Sequence, residues 1–253
     1  MNVLRTIKRT VERISRHRIY GYPTQIIQII PEKKRREAWF SYQLTVKSIL
    51  EDYQIDVVLD VGANIGQFAQ RIRRLYKGPI ISFEPVASTF AVLQKVLPGD
   101  KNWYKFNYAL GNESGEQYMN IYEMDELNSL FETNADAIQR YGDGAGSPVK
   151  EKIQIRRLDD ILNEMPIDLR TRKIFLKTDT QGYDLEVFKG ARSIRESIMA
   201  IQAEVYQTPV YDKAPMWTEN IREYTEAGFR FAGLYPVVRD GLHYRSSDCV
   251  MVR

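Results

Sequence analysis

A chain of 253 residues with 43% hydrophobic and 27% charged residues holds one large domain or two small ones around a sizeable core. Its single cysteine, Cys249, excludes an internal disulfide and a cysteine-built zinc cluster, and its two histidines, His17 and His243, speak against a histidine-based zinc site. No apolar run approaches the ~20 residues of a membrane span, and MNVLRTIKRTVERISRHR lacks the apolar segment of a secretory signal, so a cytoplasmic protein is the expectation.

The net charge of +3 is unevenly placed. Residues 1–37 carry ten Lys/Arg and three Glu, a net +7, which leaves residues 38–253 at −4. Within residues 3–14, Val3, Leu4, Ile7, Val11 and Ile14 recur at helical spacing among basic residues. Residues 1–54 thus read as a basic, amphipathic helical extension. It would pack on its own domain, dock on an anionic membrane or acidic partner, or track nucleic acid. A helix over residues 38–53 closes this extension.

From residue 55 strands and helices alternate, which predicts a doubly wound, mostly parallel sheet. Strand 56–61 ends in GANIG, and helix 66–76 stops at Lys77-Gly78-Pro79. Strand 80–83 ends at Glu84-Pro85, and helix 87–96 stops at Pro98-Gly99. A single strand is expected over 103–110, then an extended stretch over 117–123. Residues 125–149 end in Gly142, Gly144, Gly146, Ser147 and Pro148, the composition of a mobile lid. Strand 152–156, short helix 158–165, strand 174–179, helix 184–191, strand 198–205, helix 216–228 and closing strands 229–237 and 248–252 complete the order.

The GANIG turn carries the first chemistry. A dinucleotide fingerprint needs GxGxxG, whose middle glycine admits the pyrophosphate. Here Asn64 stands in the middle between Gly62 and Gly66, and no GxxxxGK[ST] loop is present. The turn therefore suits an adenosine ligand without phosphates, such as S-adenosylmethionine. Asp60, at the strand end, would repel phosphate but accept from an ammonium group, directly or through water. Glu84, at the end of the next strand, stands where an acid pairs with ribose hydroxyls. Singly, each has a plainer reading: a tight turn and a surface acid.

The blocks DVVLDVGANIGQFAQRIR, ISFEPVASTF, NYALGNESGEQ, LNSLFE, LDDIL and LKTDTQGYDLEVFKGA follow in order, and with the closing GFRFAGLYPVV and SSDCVMVR the chain from about 55 to 253 resembles the FkbM-type S-adenosylmethionine-dependent methyltransferases. The resemblance implies a class I, Rossmann-like methyltransferase domain over 55–253. Its seven-stranded sheet would have an antiparallel last strand and helices on both faces. It implies S-adenosyl-L-methionine as cofactor and methylation of a hydroxyl, often on a sugar of a glycolipid or polysaccharide. Asp60, Gly62, Asn64, Gly66 and Glu84 match the cofactor motifs, and Ala109 matches the adenine-side position. Asn128 and Ser129 match a serine-rich block, with Asn128 where serine is common. Gln181, in Asp179-Thr180-Gln181-Gly182-Tyr183, stands where glutamate is frequent.

Methyl transfer to a sugar hydroxyl needs in-line positioning and profits from a base. Asp179, at the end of a central strand, is the first candidate, Glu204 on the adjacent strand the second, and His243 in a late loop the third. Each also has a structural reading: a helix cap or cofactor-orienting group for Asp179, a backbone anchor for Glu204, a surface histidine for His243. No metal is predicted. The competing functions are an RNA or protein methyltransferase and a non-catalytic nucleoside-binding docking module. The leading reading adds a peripheral membrane contact through residues 1–18 at the cytoplasmic face.

Overall fold

The computed structural model describes residues 17–20 and 28–253, so the helix expected over residues 3–14 lies outside the described residues. The chain divides into two compact units, Met1–Ser48 and Ile49–Arg253. In the first, β1 (His17–Tyr20) pairs antiparallel with β2 (Gln28–Pro31), a hairpin the sequence reading did not include. Helix α1 (Glu32–Asp52) begins at Glu32 rather than Ala38. Its first residues, EKKRRE, are all charged and carry no apolar period to announce a helix.

In the second unit, short and mostly apolar segments become strands covered on both faces. These are β3 (Val57–Val61), β4 (Ile80–Phe83) and β9 (Ile174–Thr178), in which every residue is buried. With β5 (Trp103–Phe106), β10 (Ile198–Tyr206), β11 (Arg230–Asp240) and β12 (His243–Val252) they form a seven-stranded sheet of order β11-β12-β10-β9-β3-β4-β5. β5, β4, β3, β9 and β10 run parallel, and β12 runs against both β10 and β11.

The alternation of strand side chains separates two apolar layers. Val57, Leu59, Val61, Ile174 and Leu176 face α5 (Leu158–Ile161), α6 (Asp184–Lys189) and α7 (Trp217–Glu226) through Ile161, Leu185, Phe188 and Tyr224. The opposite face carries Phe175, whose ring meets that of Phe68 edge-on at 6.2 Å, on α2 (Gln67–Ile72). Gly66 closes this layer, because a Cβ there would lie 2.8 Å from Leu93 of α3 (Ala87–Gln94) and from the Trp103 ring.

The chain winds outward from β3 through β4 to β5, then returns to β9 on the other side of β3. This reversal makes the carboxyl ends of β3 and β9 a topological switch point, where open sheets of this kind form their ligand crevice.

Two expectations about the connection change. The strand foreseen over 103–110 is two strands in different sheets. At Asn107 the side-chain amide donates to the carbonyls of Glu84 (2.9 Å) and Pro85 (3.0 Å), which takes the chain out of the large sheet. β6 (Ala109–Gly111) then joins β8 (Val149–Arg157) in parallel, and β7 (Gly115–Ile121) joins it antiparallel, as a separate three-stranded sheet. Residues 125–149 are not an open loop. They contain α4 (Ala135–Tyr141), capped by the Asn134 side chain, and two 3-10 turns. Leu127, Ala137 and Ala145 share an apolar cluster with Tyr206, Val210 and Tyr211. Backbone bonds from Asn134 to Val210 and from Asp212 to Glu132 tie the segment to the chain after β10.

Candidate active site

The glycine turn is held from both neighbouring strands. Gly62, Asn64 and Gly66 all have positive φ (71°, 48° and 84°), a conformation glycine adopts without strain and asparagine tolerates. At Gly62 the absent side chain has a second use, since a Cβ there would collide with the carbonyl oxygen of Asp179. The turn after β3 and the turn after β9 therefore lie backbone to backbone.

Glu84 spans from the end of β4 to the same turn. Its Oε2 accepts from the Asn64 N–H and its Oε1 from the Val86 N–H, each at 2.9 Å. Burial pushes its carboxyl up to about 7, against the lowering effect of those two bonds. Each oxygen keeps a further lone pair, so the carboxylate can still accept from a pair of hydroxyls. An adenosine ligand fits this arrangement: a rigid bare turn on β3 and a buried acid with spare acceptors on β4.

Asp60 has no exposed surface. Ser82 Oγ donates to its Oδ2 at 3.1 Å and itself accepts from the Trp103 indole at 2.9 Å. The other oxygen faces Lys177 Nζ at 3.1 Å. Lys177 also donates to the Gly62 carbonyl at 3.2 Å and stands 3.7 Å from Asp179 Oδ2. Asp60 is thus the internal counter-charge of a buried lysine rather than an open acceptor. Sequence reasoning passed over Lys177, although a lysine inside the apolar run IFLKT was a visible signal.

Asp179 and Glu204, the first two base candidates, come together through Gln181. Its amide nitrogen donates to Asp179 Oδ1 and to Glu204 Oε2, both at 2.9 Å. Its amide oxygen accepts from Tyr206 (3.1 Å) and Tyr211 (2.9 Å). The Tyr206 hydroxyl also lies within hydrogen-bond distance of Glu204 Oε2, at 2.9 Å. The Asp179 side chain is 43% exposed, whereas Glu204 is buried. Burial, and then the charge of Asp179, push the Glu204 carboxyl up to about 8. Asp248, its cross-strand partner, is pushed up to about 7 by the same two causes. Among the described residues no group of three or more His, Cys, Asp or Glu is placed to hold a metal ion.

The remaining candidates lie around this centre. Ser129 is fully buried and donates from Oγ to the Gln181 carbonyl at 2.7 Å, fixing a residue whose φ is 53°. Asn128 accepts from the Tyr122 N–H at 2.8 Å. Ala109 pairs with Ile155 in the small sheet. His243 is exposed and opens β12 opposite Asp240, so it stands in a strand rather than a loop and outside the hydrogen-bonded network of Asp179, Gln181 and Glu204.

The methyltransferase FkbM domain model matches residues 60–231, about two-thirds of the chain. No match was found among curated proteins. Among solved structures, fibrillarin of Aeropyrum pernix with natively bound S-adenosyl-L-methionine is similar at 11% identity, over 93% of this chain and 82% of that one, with a TM-score of 0.48. Magnesium protoporphyrin IX methyltransferase of Synechocystis PCC 6803 with bound cofactor is similar at 10% identity, over 100% and 98%, with a TM-score of 0.42. Precorrin-6y C5,15-methyltransferase of Geobacter metallireducens GS-15 is similar at 9%, over 84% and 87%, with a TM-score of 0.46. Likenesses at this level say nothing of acceptor or site residues. The family match and the mostly parallel seven-stranded sheet agree: the chain belongs to the FkbM methyltransferase family and is an S-adenosylmethionine-dependent methyltransferase of Rossmann-like fold.

Proposed function

We propose that this methyltransferase acts on a hydroxyl oxygen, on a sugar of a glycan or glycolipid. The observation that supports this reading is the pair of carboxylates, Asp179 exposed and Glu204 buried, joined by one amide at the carboxyl ends of β9 and β10. A hydroxyl is a weak nucleophile that benefits from a base during attack, whereas a more nucleophilic acceptor has less need of one. The cofactor supplies an electrophilic methyl group on a sulfonium. Glu84 takes the ribose hydroxyls, the Gly62–Gly66 turn lies against the adenosine with Ala109 on the adenine side, and Asp60 sets the turn through Lys177. Ser129 holds the Gln181 backbone, and Asn128 holds the Tyr122 N–H.

In this reading Asp179 would accept the proton of the acceptor hydroxyl, next to the site where the cofactor would present its methyl group. Gln181 fixes the Asp179 carboxylate and shields it from Glu204. With its carboxyl near 8, Glu204 carries a proton at neutral pH, so the pair holds one negative charge rather than two. The basic N-terminal segment belongs to the same proposal: its +7 charge suits the anionic, cytoplasmic face of a membrane that carries a lipid-linked glycan. Among the described residues no helix is long and apolar enough to cross a membrane.

The test is transfer of labelled methyl from S-adenosylmethionine to panels of glycans, RNA and protein. The expected product is a base-stable methyl ether on a sugar, lost in Asp179→Asn. Label confined to RNA or protein overturns the reading.

A further inference from the structure

Strand register extends the pair of Asp179 and Glu204 into a longer row. Ala203 of β10 lies beside Thr178 of β9, so the residues that follow, Glu204 and Asp179, stand side by side. Glu204 pairs in turn with Asp248 of β12, and Asp248 with Tyr235 of β11. Laterally paired residues point to one face of a sheet. The chain neighbours Ala203, Val205, Cys249 and Leu234 belong to the apolar layer on the opposite face. Three carboxyl groups and a phenol therefore form one strip across β9, β10, β12 and β11.

We propose that Asp248 is an acceptor-binding residue, taking a second hydroxyl of the same sugar ring whose first hydroxyl is methylated at Asp179. The proposal rests on the hydroxyl-acceptor reading above. Asp179 and Asp248 stand two strand spacings apart, about 10 Å. One sugar ring with a hydrogen bond at either end fills that length. The second hydroxyl is then across the ring from the methylated one rather than adjacent to it.

Exposure selects the outer two carboxyls. Glu204, between them, is buried and held through Oε2 by Gln181 and Tyr206, each at 2.9 Å. Asp248 is half-buried and the Asp179 side chain is 43% exposed, so these are the two that a ligand can touch. Tyr235 lies along its own strand, since a Cβ on Gly233 would come within 2.7 Å of the Tyr235 hydroxyl. The bare backbone of Gly233 gives the ring its place, and the ring borders the row at its outer end.

The row calls for donors. Lys177, two residues back along β9, is engaged by Asp60 and by the Gly62 carbonyl. Burial and the charge of Asp179 push the Asp248 carboxyl up to about 7, outweighing Gln202, Lys177 and Arg71. A hydroxyl that donates to the ionised group offsets its burial. A phosphate or uronate in the same place brings more acceptors and a like charge, so the group that fits is a neutral hydroxyl.

The experiment takes the glycan methylated best in the panel above and compares it with its monodeoxy analogues on the full chain. In the unaltered protein, loss of one hydroxyl not adjacent to the methylated position should lower kcat/KM at least tenfold. Asp248→Ala should raise KM for the complete glycan at least tenfold, keep kcat within threefold, and use that deoxy analogue as well as the complete glycan. Asp248→Asn, which keeps the shape and one acceptor oxygen, should fall between the two. Affinity for S-adenosylhomocysteine should be the same in all three proteins, which a loosened sheet would not give. Should Asp248→Ala fail to fold, Asp248→Asn and the analogue series on the unaltered protein decide the matter. A glycan with no such sensitive hydroxyl, or a deoxy penalty that persists undiminished in the Asp248 variants, overturns the assignment and leaves the hydroxyl reading standing. Methylation confined to RNA or protein overturns both.

Discussion

Replacing Gln181 by methionine keeps the volume and removes the amide that separates Asp179 from Glu204. Both acceptor oxygens lie 2.9 Å from one nitrogen, so they are within about 6 Å of each other. At that separation and an effective dielectric near 20, two carboxylates repel by about 3 kcal/mol, part of what already raises the Glu204 carboxyl, and the Gln181 amide offsets it by donating to both. The sign follows from linkage: a carboxyl with a raised folded-state pKa makes stability fall as pH rises from its unfolded value to its folded one. In the unaltered protein that fall ends near pH 8 for Glu204, and in Gln181→Met, which lacks the amide that donates to the ionised carboxylate, it continues to higher pH. Urea denaturation at pH 6 and pH 9.5 measures this without any acceptor. At pH 6, where Glu204 is protonated in both proteins, the variant should lose about 1–3 kcal/mol from missing hydrogen bonds. At pH 9.5, where Glu204 is ionised and lacks the donated amide bond, the loss should be greater by about 1–3 kcal/mol. An equal loss at both pH values refutes the amide-bridged pair.

Glu84 titrates near 7, and ligand hydroxyls donate to its ionised form, so affinity for S-adenosylhomocysteine should be highest above pH 7 and fall below it. Calorimetry on Glu84→Gln should show about 1–3 kcal/mol weaker binding and no such pH dependence. Lys177→Met strands the buried Asp60 carboxylate and should cost about 3–5 kcal/mol in urea denaturation, with a loss under 1 kcal/mol as the contrary result. Gly62→Ala should lower the melting temperature by at least several degrees and abolish methyl transfer, because the new Cβ displaces the Asp179 turn; a fully active variant contradicts that contact. Removing residues 1–18 should weaken binding to anionic vesicles at low salt, each basic residue near the surface contributing about 1 kcal/mol, and leave cofactor affinity unchanged in calorimetry.

The sequence by itself determined the local parts. VVLDV, IISF and IFLKT announce buried parallel strands because each is short and mostly apolar. GANIG announces a turn for an adenosine ligand without phosphates because Asn64 stands where a pyrophosphate would need glycine. Glu84 and Asp179 were legible as candidate site residues because both follow directly on such strands. The tertiary structure decided what depends on register and on distant partners. Asp60 faces Lys177 because β3 and β9 align those two residues side by side, a pairing no spacing along the chain records. Gln181 stands as a plain substitution in a motif until Asp179, Glu204, Tyr206 and Tyr211 converge on its four hydrogen bonds. The glycines of residues 142–146 suggested a mobile lid, yet apolar contacts with Tyr206, Val210 and Tyr211 order that segment.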